Sequence, residues 1–300
     1  MRAVVTGATG FIGRQLLARL DRPIVLTRRP DKARQTLASY NAEVFGWDAE
    51  REPAPAAAFD GADVVFHLAG ESVAEGRWNA EKKRRIRESR ELSTRNLVQG
   101  LRSAERRPAV LVSTSAVGYY GSRGEELLDE SSAPAQDFLA EVCQVWEREA
   151  QAAREFGVRV ANPRIGLVLG RGGALEKMLP PFKLGVGGRL GDGRAWMPWI
   201  HVDDVVGIFL HAAQHAAVSG PINAVSPNPV RNAEFTKELA AVLHRPAVFP
   251  VPGFGLKLMF GEFAQVLLAS QRVVPKVAEQ TGYRFAYPTL AAALAQILAS

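Results

Sequence analysis

Residues 4–13 carry the strongest structural signal in this chain, and they read Val4-Val5-Thr6-Gly7-Ala8-Thr9-Gly10-Phe11-Ile12-Gly13. A short apolar run leads into three glycines within seven residues, and an amphipathic helical pattern follows. Gly7 permits a tight turn, Gly10 lets a pyrophosphate approach the backbone, and Gly13 lets the helix pack close to the strand. The free N–H groups and positive end of such a helix bind phosphate. The stretch predicts a dinucleotide-binding turn, with a purely structural glycine turn as the alternative.

Short apolar runs alternate with helical patterns along the first half of the chain. Strands are expected at 3–5, 24–26, 43–45, 64–68, 110–113 and 158–161. One helix is expected after the glycines, with Ile12, Leu16 and Leu20 on one face, and another from Phe138 to Ala153. Near-continuous apolar strands suit a sheet that is buried on both faces. The alternation predicts an α/β fold with a doubly wound, Rossmann-type parallel sheet.

The pattern changes after about Arg164. Glycine-rich loops occupy 171–173 and 184–188, residues 233–244 form a clean helical pattern, and the last helix has Leu290, Leu294 and Leu298 spaced by four. We expect a Rossmann-type domain over 1–165, to which later segments can return. A smaller, mostly helical substrate lobe is expected over 166–300.

Basic residues outnumber acidic ones by 37 to 31, which gives a net charge of +6. Most of the clustering lies at 82–87 and continues to Arg90 and Arg95. We interpret these positions as the solvated face of one long helix, and attraction of a polyanionic small substrate is the alternative. A nucleic-acid partner is not expected, because no aromatic platform or recognised binding module accompanies the charge.

Other features narrow the class of protein. Cys143 is the single cysteine, so an internal disulfide is impossible and a reducing, cytoplasmic location is expected. The chain begins almost directly with an apolar run, which argues against a targeting peptide. No apolar run approaches the roughly 20 residues that span a bilayer, so no membrane partner is expected. The five histidines are scattered, and no metal site is expected.

The end of the second strand predicts which dinucleotide binds. An NAD site normally has Asp or Glu there, but this chain has Leu26-Thr27-Arg28-Arg29. A guanidinium at this position would pair with a 2′-phosphate through a charge-assisted bond of about 1.5–3 kcal/mol. That corresponds to about a ten- to hundredfold preference, so NADP(H) is the predicted cofactor. Exposed arginines before a turn are the alternative interpretation.

Several segments together resemble the extended short-chain dehydrogenase/reductases. Within that superfamily the chain is similar to an atypical branch, the YfcH-like "epimerase family proteins" of the NAD-dependent epimerase/dehydratase family. The similarity is carried by 6–13, 67–72, Arg77-Trp78, Ser113-Thr114-Ser115-Ala116-Val117-Gly118-Tyr119-Tyr120-Gly121, 138–147, Pro163-Arg164-Ile165-Gly166-Leu167-Val168-Leu169-Gly170 and Trp199-Ile200-His201-Val202-Asp203-Asp204. The segment from about 246 to the end resembles the small C-terminal domain of that branch.

The resemblance implies a cofactor site and part of a catalytic set. Thr9, Gly10, Phe11 and Ile12 would contact the pyrophosphate and Arg28 the 2′-phosphate. Leu68, Ala69 and Gly70 would lie along the adenosine and ribose, Pro163 and Ile165 beside the nicotinamide, and Asp48 near the adenine. Ser115 would steady the reacting carbonyl or carbinol. The residues expected at the substrate are Arg77, Trp78, Arg164, Trp199 and His201.

The superfamily's usual proton donor is missing. In its working members a Tyr and a Lys four residues later share one helix face, and the Lys and the cofactor ribose lower the Tyr pKa for proton transfer. The helix expected at 138–153 has neither residue type, and Phe138/Val142 or Leu139/Cys143 occupies the two positions. Tyr119, Tyr120 and Glu141 are candidate substitutes, and Cys143 is more typical of a core position.

Two functions remain open at this point. The first is an NADP(H)-dependent oxidoreductase or epimerase-like enzyme for a small polar substrate, anionic or aromatic in character because the expected cleft contains Arg77, Trp78, Trp196, Trp199 and His201. The second is an NADP(H)-binding sensor or scaffold that has lost turnover. A homodimer is compatible with the superfamily, although nothing in the sequence requires one.

Overall fold

The computed structural model describes residues 1–299. Its strands are β1 (Ala3–Thr6), β2 (Ile24–Thr27), β3 (Glu43–Gly46), β4 (Val64–His67), β5 (Val110–Ser113), β6 (Ser115–Ala116), β7 (Leu127–Leu128), β8 (Arg159–Ile165), β9 (Leu167–Leu169), β10 (Trp196–Met197), β11 (Trp199–His201), β12 (Gly220–Ala224), β13 (Val230–Arg231) and β14 (Arg272–Val273). Its helices are α1 (Phe11–Leu17), α2 (Pro30–Thr36), α3 (Ala80–Ser103), α4 (Phe138–Gln151), α5 (Gly173–Lys183), α6 (Val202–Gln214), α7 (Asn232–Leu243), α8 (Gly253–Phe260), α9 (Ala264–Leu267), α10 (Lys276–Gln280) and α11 (Leu290–Leu298). Short 3₁₀ segments join several of them.

A parallel sheet forms the centre of the molecule. Across the described residues it has eight strands, in the order β12-β8-β5-β4-β1-β2-β3, with β6 paired to β8. Helices cover both faces: α1 and α6 pack with one apolar cluster, and α3 and α4 with the other. This is the predicted doubly wound, Rossmann-type α/β fold. In such sheets ligands bind at the carboxyl ends of the strands, where β1 and its neighbours reverse the strand order.

The later part of the chain contributes to both the sheet and a helical lobe. Strand β12 pairs in parallel with β8, so residues 220–224 return to the main sheet. The C-terminal lobe has its own core, in which Trp199, Phe235 and Leu294 are buried among residues of α5, α7 and α11. No helix within residues 1–299 is both long enough and apolar enough to cross a membrane.

Three predicted boundaries differ from the structure by more than one residue. Helix α1 ends at Leu17 rather than reaching Leu20, because the backbone tightens into bonds from Arg19 N to Leu16 O and from Leu20 N to Leu17 O. The predicted helix to Ala153 ends at Gln151 and continues as a 3₁₀ segment. The strand predicted at 158–161 begins at Arg159 and runs to Ile165, since β12 and β6 extend its pairing.

The basic run on α3 is mostly a solvated face, as interpreted from sequence. Arg84 pairs with Glu81 and Glu88 on the same helix, and Arg87 pairs with Glu91. Two members differ: Lys82 is buried and bonded to Glu71, and Arg90 is partly buried beneath the end of β4. They turn inward because they lie on the side of α3 that faces the loop after β4.

Candidate functional site

The glycine-rich turn joins β1 to α1 with backbone contacts that leave no room for side chains. Gly7 has a φ of +67°, and a Cβ there would lie 2.7 Å from the carbonyl carbon of Leu68. A Cβ on Gly13 would lie 2.4 Å from the Gly7 oxygen. Helix α1 begins after Gly10 without a side-chain cap, so no capping side chain bonds the N–H groups of its first turn. These uncapped donors and the positive end of the helix suit a pyrophosphate.

A buried hydrogen-bond network supports the turn from below. Thr6 Oγ1 accepts the N–H groups of Leu68 and Ala69 at 3.1 and 3.2 Å, and lies 2.7 Å from His67 Nδ1. Because Thr6 already accepts two bonds, its one hydrogen goes to Nδ1, and His67 Nε2–H donates to Thr94 Oγ1 at 3.1 Å. Burial lowers the pKa of His67 from 6.5 to about 3, so the ring stays neutral.

A cavity of about 290 Å³ opens over the turn and is lined by Thr6, Gly7, Ala8, Thr9, Gly10, Val25, Leu26, Thr27, Arg28, Trp47, Ala49, Leu68, Ala69 and Gly70. The lining includes most of the predicted cofactor residues. One of them is Arg28, which directly follows β2. No carboxylate is part of this lining. Asp48 lies beside it, where its carboxylate accepts the Glu50 N–H and pairs with Arg51. Sequence reasoning did not predict that Trp47 and Ala49 line this cavity. The aromatic residue directly after β3 could have indicated it.

Ser115 belongs to a second polar network at the end of β5. Its Oγ donates to Glu147 Oε1 at 2.7 Å, and Ser115 is only 2% exposed. Arg164 holds the same carboxylate with Nε and Nη2, both at 2.8 Å. Burial alone would lower the pKa of Arg164, but its bonds to Glu147 raise it overall. Glu147 therefore joins Ser115 to Arg164, and sequence reasoning missed this link because Ser115 and Glu147 are 32 positions apart.

The two neighbouring tyrosines contact Arg164 in different ways. The Tyr119 ring lies against the guanidinium, with Cζ 3.4 Å from the ring centroid. Tyr120 accepts a bond from Arg164 Nη1 at 2.9 Å and donates to Asn223 Oδ1 at 2.7 Å. Burial raises the pKa of Tyr120 to about 12, so the phenol keeps its hydrogen, which it donates to Asn223. The assignment of Tyr119 to catalysis stays a prediction.

Apolar residues fill the positions on α4 where Tyr and Lys are usual. Leu139 and Cys143 both face Gly118, where a Cβ would lie 3.3 Å from Leu139 Cβ and 3.9 Å from the thiol. The thiol donates to the Ala116 oxygen at 3.6 Å. Burial, and then the charge of Glu147, raise the pKa of Cys143 to about 11. Cys143 is thus a protonated core residue rather than a reactive thiolate.

Arg77 and Trp78 connect the loop before α3 to the C-terminal lobe. Arg77 Nη2 donates to the Leu258 oxygen at 2.8 Å, and Trp78 Nε1 donates to the Val73 oxygen at 2.8 Å. The indole contacts the Phe138 ring at 5.5 Å and the Phe263 ring at 5.8 Å between centroids. These residues form a cationic and aromatic wall near the start of α4, and their contact with a substrate stays a prediction.

The remaining predicted site residues are held by other contacts. Trp199 is buried in the lobe core and donates to the Asn228 oxygen, while His201 Nε2 lies 3.0 Å from Gln296 Oε1. Phe11 packs against Gly170, Gly172 and Gly173, and Ile12 packs on the main core. Pro163 and Ile165 lie in β8, paired with Ile222 and Ala224. Within residues 1–299 no group of three His, Cys, Asp or Glu could hold a metal ion.

Comparison with known proteins matches this geometry to one family. A model of the NAD dependent epimerase/dehydratase family matches residues 3–224, and a domain of unknown function, DUF1731, matches residues 251–297. The chain is 43% identical to the Arabidopsis thaliana "epimerase family protein SDR39U1 homolog, chloroplastic", over 99% of this chain and 87% of that protein. It is 37% identical to Bacillus subtilis YfhF, over 100% of this chain and 98% of that protein.

A solved structure agrees over the whole length. The crystal structure of human epimerase family protein SDR39U1 (isoform 2) with NADPH superposes with a TM-score of 0.89 at 32% identity, and the match covers 100% of both chains. Since the family model covers well over half of the chain and the relatives match along their length, this protein belongs to the NAD-dependent epimerase/dehydratase family.

Proposed function

We propose that this protein binds NADP(H) and uses it to oxidise or reduce a small polar substrate. The observation that carries the proposal is the cavity over the glycine-rich turn, with Arg28 at one end and no carboxylate in its lining. The turn's uncapped helix would hold the pyrophosphate, and Arg28 the 2′-phosphate. That the human relative was crystallised with NADPH supports the same cofactor here.

Ser115 and Glu147 are the residues we assign to proton handling. The cofactor, when bound, supplies or accepts the hydride. Because the Ser115 hydrogen is donated to Glu147, its oxygen can only accept from another group, which favours a substrate hydroxyl over a carbonyl. In the oxidation direction the substrate proton passes to Ser115 as the serine proton passes to the Glu147 carboxylate. Arg77 and Trp78 favour an anionic or aromatic substrate.

The cofactor half of the proposal is tested by calorimetry with NADPH and NADH. Arg28→Ala should weaken NADPH binding by about tenfold or more and leave NADH binding nearly unchanged, since only NADPH carries the 2′-phosphate. Arg29→Ala is the matched control, because Arg29 is adjacent but does not line the cavity. Equal losses for both cofactors in Arg28→Ala would contradict the assignment.

The catalytic half is tested by turnover. Purified protein with NADPH or NADP⁺ is screened against ketones, enones, alcohols and nucleotide sugars, and a hit is repeated with Ser115→Ala. Ser113→Ala is the control, because it removes a buried hydroxyl without a hydrogen-bond partner two residues earlier. Loss of turnover in Ser115→Ala alone supports the enzyme.

A non-catalytic NADP(H) sensor is the second candidate function. It is favoured by the residues that replace the Tyr and Lys on α4, either Phe138 and Val142 or Leu139 and Cys143, and by the burial of Ser115. Tight NADPH binding with no oxidation of any substrate in the screen would support the sensor. The homodimer stays a prediction under both functions.

A further inference from the structure

Short strands in the later part of the chain place two arginines over one tryptophan. Trp196 in β10 lies opposite Arg231 in the antiparallel strand β13. Arg272 comes from β14, and Ser270, two residues earlier, accepts the Trp196 N–H at 3.1 Å. The Cζ atoms of Arg231 and Arg272 lie 4.5 and 4.8 Å from the centroid of the Trp196 ring. The indole thus holds both guanidiniums in place through cation–π contacts.

The two arginines differ in how their charge is balanced. Arg231 donates to both carboxylate oxygens of Glu125 at 2.9 Å, and the indole N–H of Trp196 donates to the same carboxylate at 2.9 Å. The bond from Arg231, and then that from Trp196, lower the pKa of Glu125, which keeps this carboxylate ionised. Arg272 has no ion pair within residues 1–299. The cluster therefore contains one paired guanidinium and one whose charge is not balanced.

The Arg272 guanidinium also lacks hydrogen-bond acceptors. Its Nε is buried and makes no hydrogen bond in the described part of the chain. Nη1 and Nη2 make none there either, but they are not enclosed as Nε is. A partly buried charge without a partner is costly, and buried donors in native proteins almost always have an acceptor. An anion at the Nη groups would supply both an acceptor and the opposite charge.

The cluster is separate from the cofactor cavity, but its strand β14 also supports the loop after Ser115. None of the three cluster residues lines the cavity over the glycine-rich turn. Gln271, directly before Arg272, is buried and donates to two backbone oxygens of segment 117–121, at 2.8 and 3.0 Å. Because successive side chains of a strand point to opposite sides, Gln271 packs on this loop while Arg272 faces Trp196.

We propose that Arg272, held in place by Trp196, forms a second anion site that binds a phosphate or carboxylate group of a small molecule. A guanidinium presents parallel N–H donors, and their spacing matches the oxygens of either group. The site is independent of the proposed cofactor because it lies outside that cavity. In the proposed reaction the anionic group belongs to the substrate, and this last step alone rests on the proposed function.

Anion titrations followed by NMR test the site. The indole N–H signal of Trp196 is assigned with Trp196→Phe and followed while inorganic phosphate, pyrophosphate or malonate is added at constant ionic strength, with and without NADPH. We expect a saturable shift of this signal, with an affinity that NADPH leaves nearly unchanged. Arg272→Met should weaken binding about tenfold or more, because the charge-assisted bonds are lost. Arg194→Met is the matched control, since Arg194 is exposed two residues before Trp196 and its loss changes the net charge equally.

The anions also distinguish the two classes of ligand. Tighter binding of phosphate or pyrophosphate supports a phosphate ester, and tighter binding of malonate supports a carboxylate. The absence of a saturable shift with all three anions in the wild type overturns the proposal. A strong loss of affinity in the presence of NADPH would mean that the site is not separate, and that also overturns it.

The variants exclude a diffuse electrostatic effect. Equal losses in Arg272→Met and Arg194→Met overturn the proposal, because the general positive charge of the region would then explain the binding. If Arg272→Met does not fold, Arg272→Gln takes its place under the same criteria. NADPH binding is measured on the same samples by calorimetry. Its absence would contradict the proposed cofactor and would leave the result at Trp196 to decide the anion site.

Discussion

His67 shows how a single residue couples the cofactor loop to pH. It lies fully buried between Thr6 and Thr94, and the Thr6 hydroxyl that it accepts also orients the N–H groups of Leu68 and Ala69. Such a network needs the neutral ring, because a protonated Nδ1 would face the Thr6 hydroxyl as a second donor. Burial, which lowers the pKa of His67, therefore also keeps this hydrogen-bond network intact.

The His67 network predicts a loss of stability in mild acid. The pKa of His67 is about 3 in the folded protein and has its ordinary value of 6.5 in the unfolded chain, so below pH 6.5 the unfolded chain binds a proton that the folded chain does not. The free energy of unfolding should fall as pH drops from 6.5 towards 3, by about 1.4 kcal/mol per pH unit once well below 6.5. Urea unfolding at about pH 7 and about pH 5.5 should show a difference of about 1 kcal/mol from this residue.

Two histidine variants assign the effect. His67→Asn should reduce the pH dependence, although burial also lowers the pKa of His211, which leaves a smaller slope of the same sign. His244→Asn is the control, because His244 is exposed and its φ of 52° suits Asn. An undiminished slope in His67→Asn would contradict the neutral buried ring.

At the scale of elements, the glycines at the start of α1 have separable roles. A Cβ on Gly10 would meet only the Gly7 oxygen, at 3.2 Å, and Gly10 has a φ of −73° that any residue adopts. A Cβ on Gly13 would lie 2.4 Å from that oxygen and 2.8 Å from the Ala8 Cα, and neither backbone atom can move without opening the turn. Gly13 thus lets the helix pack against the strand, while Gly10 lines the open cavity where we propose that the pyrophosphate binds.

Alanine substitution should separate binding from stability. Gly10→Ala should melt like the wild type and bind NADPH about tenfold or more weakly, because the methyl group occupies the space of the pyrophosphate. Gly13→Ala should lower the free energy of unfolding by roughly 1–3 kcal/mol. Gly255→Ala in α8 is the control, since its nearest neighbour is 3.7 Å away. Equal thermal stability of the Gly10 and Gly13 variants, measured by calorimetry, would refute this division.

The elements also show what sequence can and cannot predict. The strand–turn–helix at 3–17 and the apolar strands are local patterns, so the sheet, the glycine roles and the position of Arg28 are predictable. The partners of Ser115 and Arg90 come from other elements, and spacing along the chain has no signal for such pairs. Sequence reasoning places Arg90 on the solvated face of α3, because runs of charged residues are usually solvated. Only its packing against Gly70 in the structure distinguishes Arg90 from the exposed arginines of the same helix.

At the scale of the whole molecule, Asp204 fastens the C-terminal segment to the main fold. This buried carboxylate on α6 accepts the Tyr283 hydroxyl at 2.9 Å and the N–H groups of Ala286 and Tyr287 at 2.8 and 3.0 Å. Tyr283 reaches it because Gly207 has no side chain, since a Cβ there would lie 2.1 Å from the hydroxyl. In the sequence, Asp204 is part of the segment 199–204 that carries the family resemblance, and the structure shows that it joins two regions of the chain.

Asp204→Asn should therefore loosen the C-terminal domain. An amide offers one acceptor oxygen where the carboxylate offers two, so at least one buried N–H loses its partner, at a cost of about 1–3 kcal/mol. Asp203→Asn should be nearly neutral, because Asp203 is 41% exposed one position earlier on the same helix. Limited proteolysis should cut the Asp204 variant faster near residues 281–289 while the main sheet stays resistant. The Leu258 oxygen in α8 of the same domain accepts a hydrogen bond from Arg77. The variant should therefore also disturb the wall that Arg77 and Trp78 form. Equal cleavage of the two variants would mean that the domain is held by its apolar contacts alone.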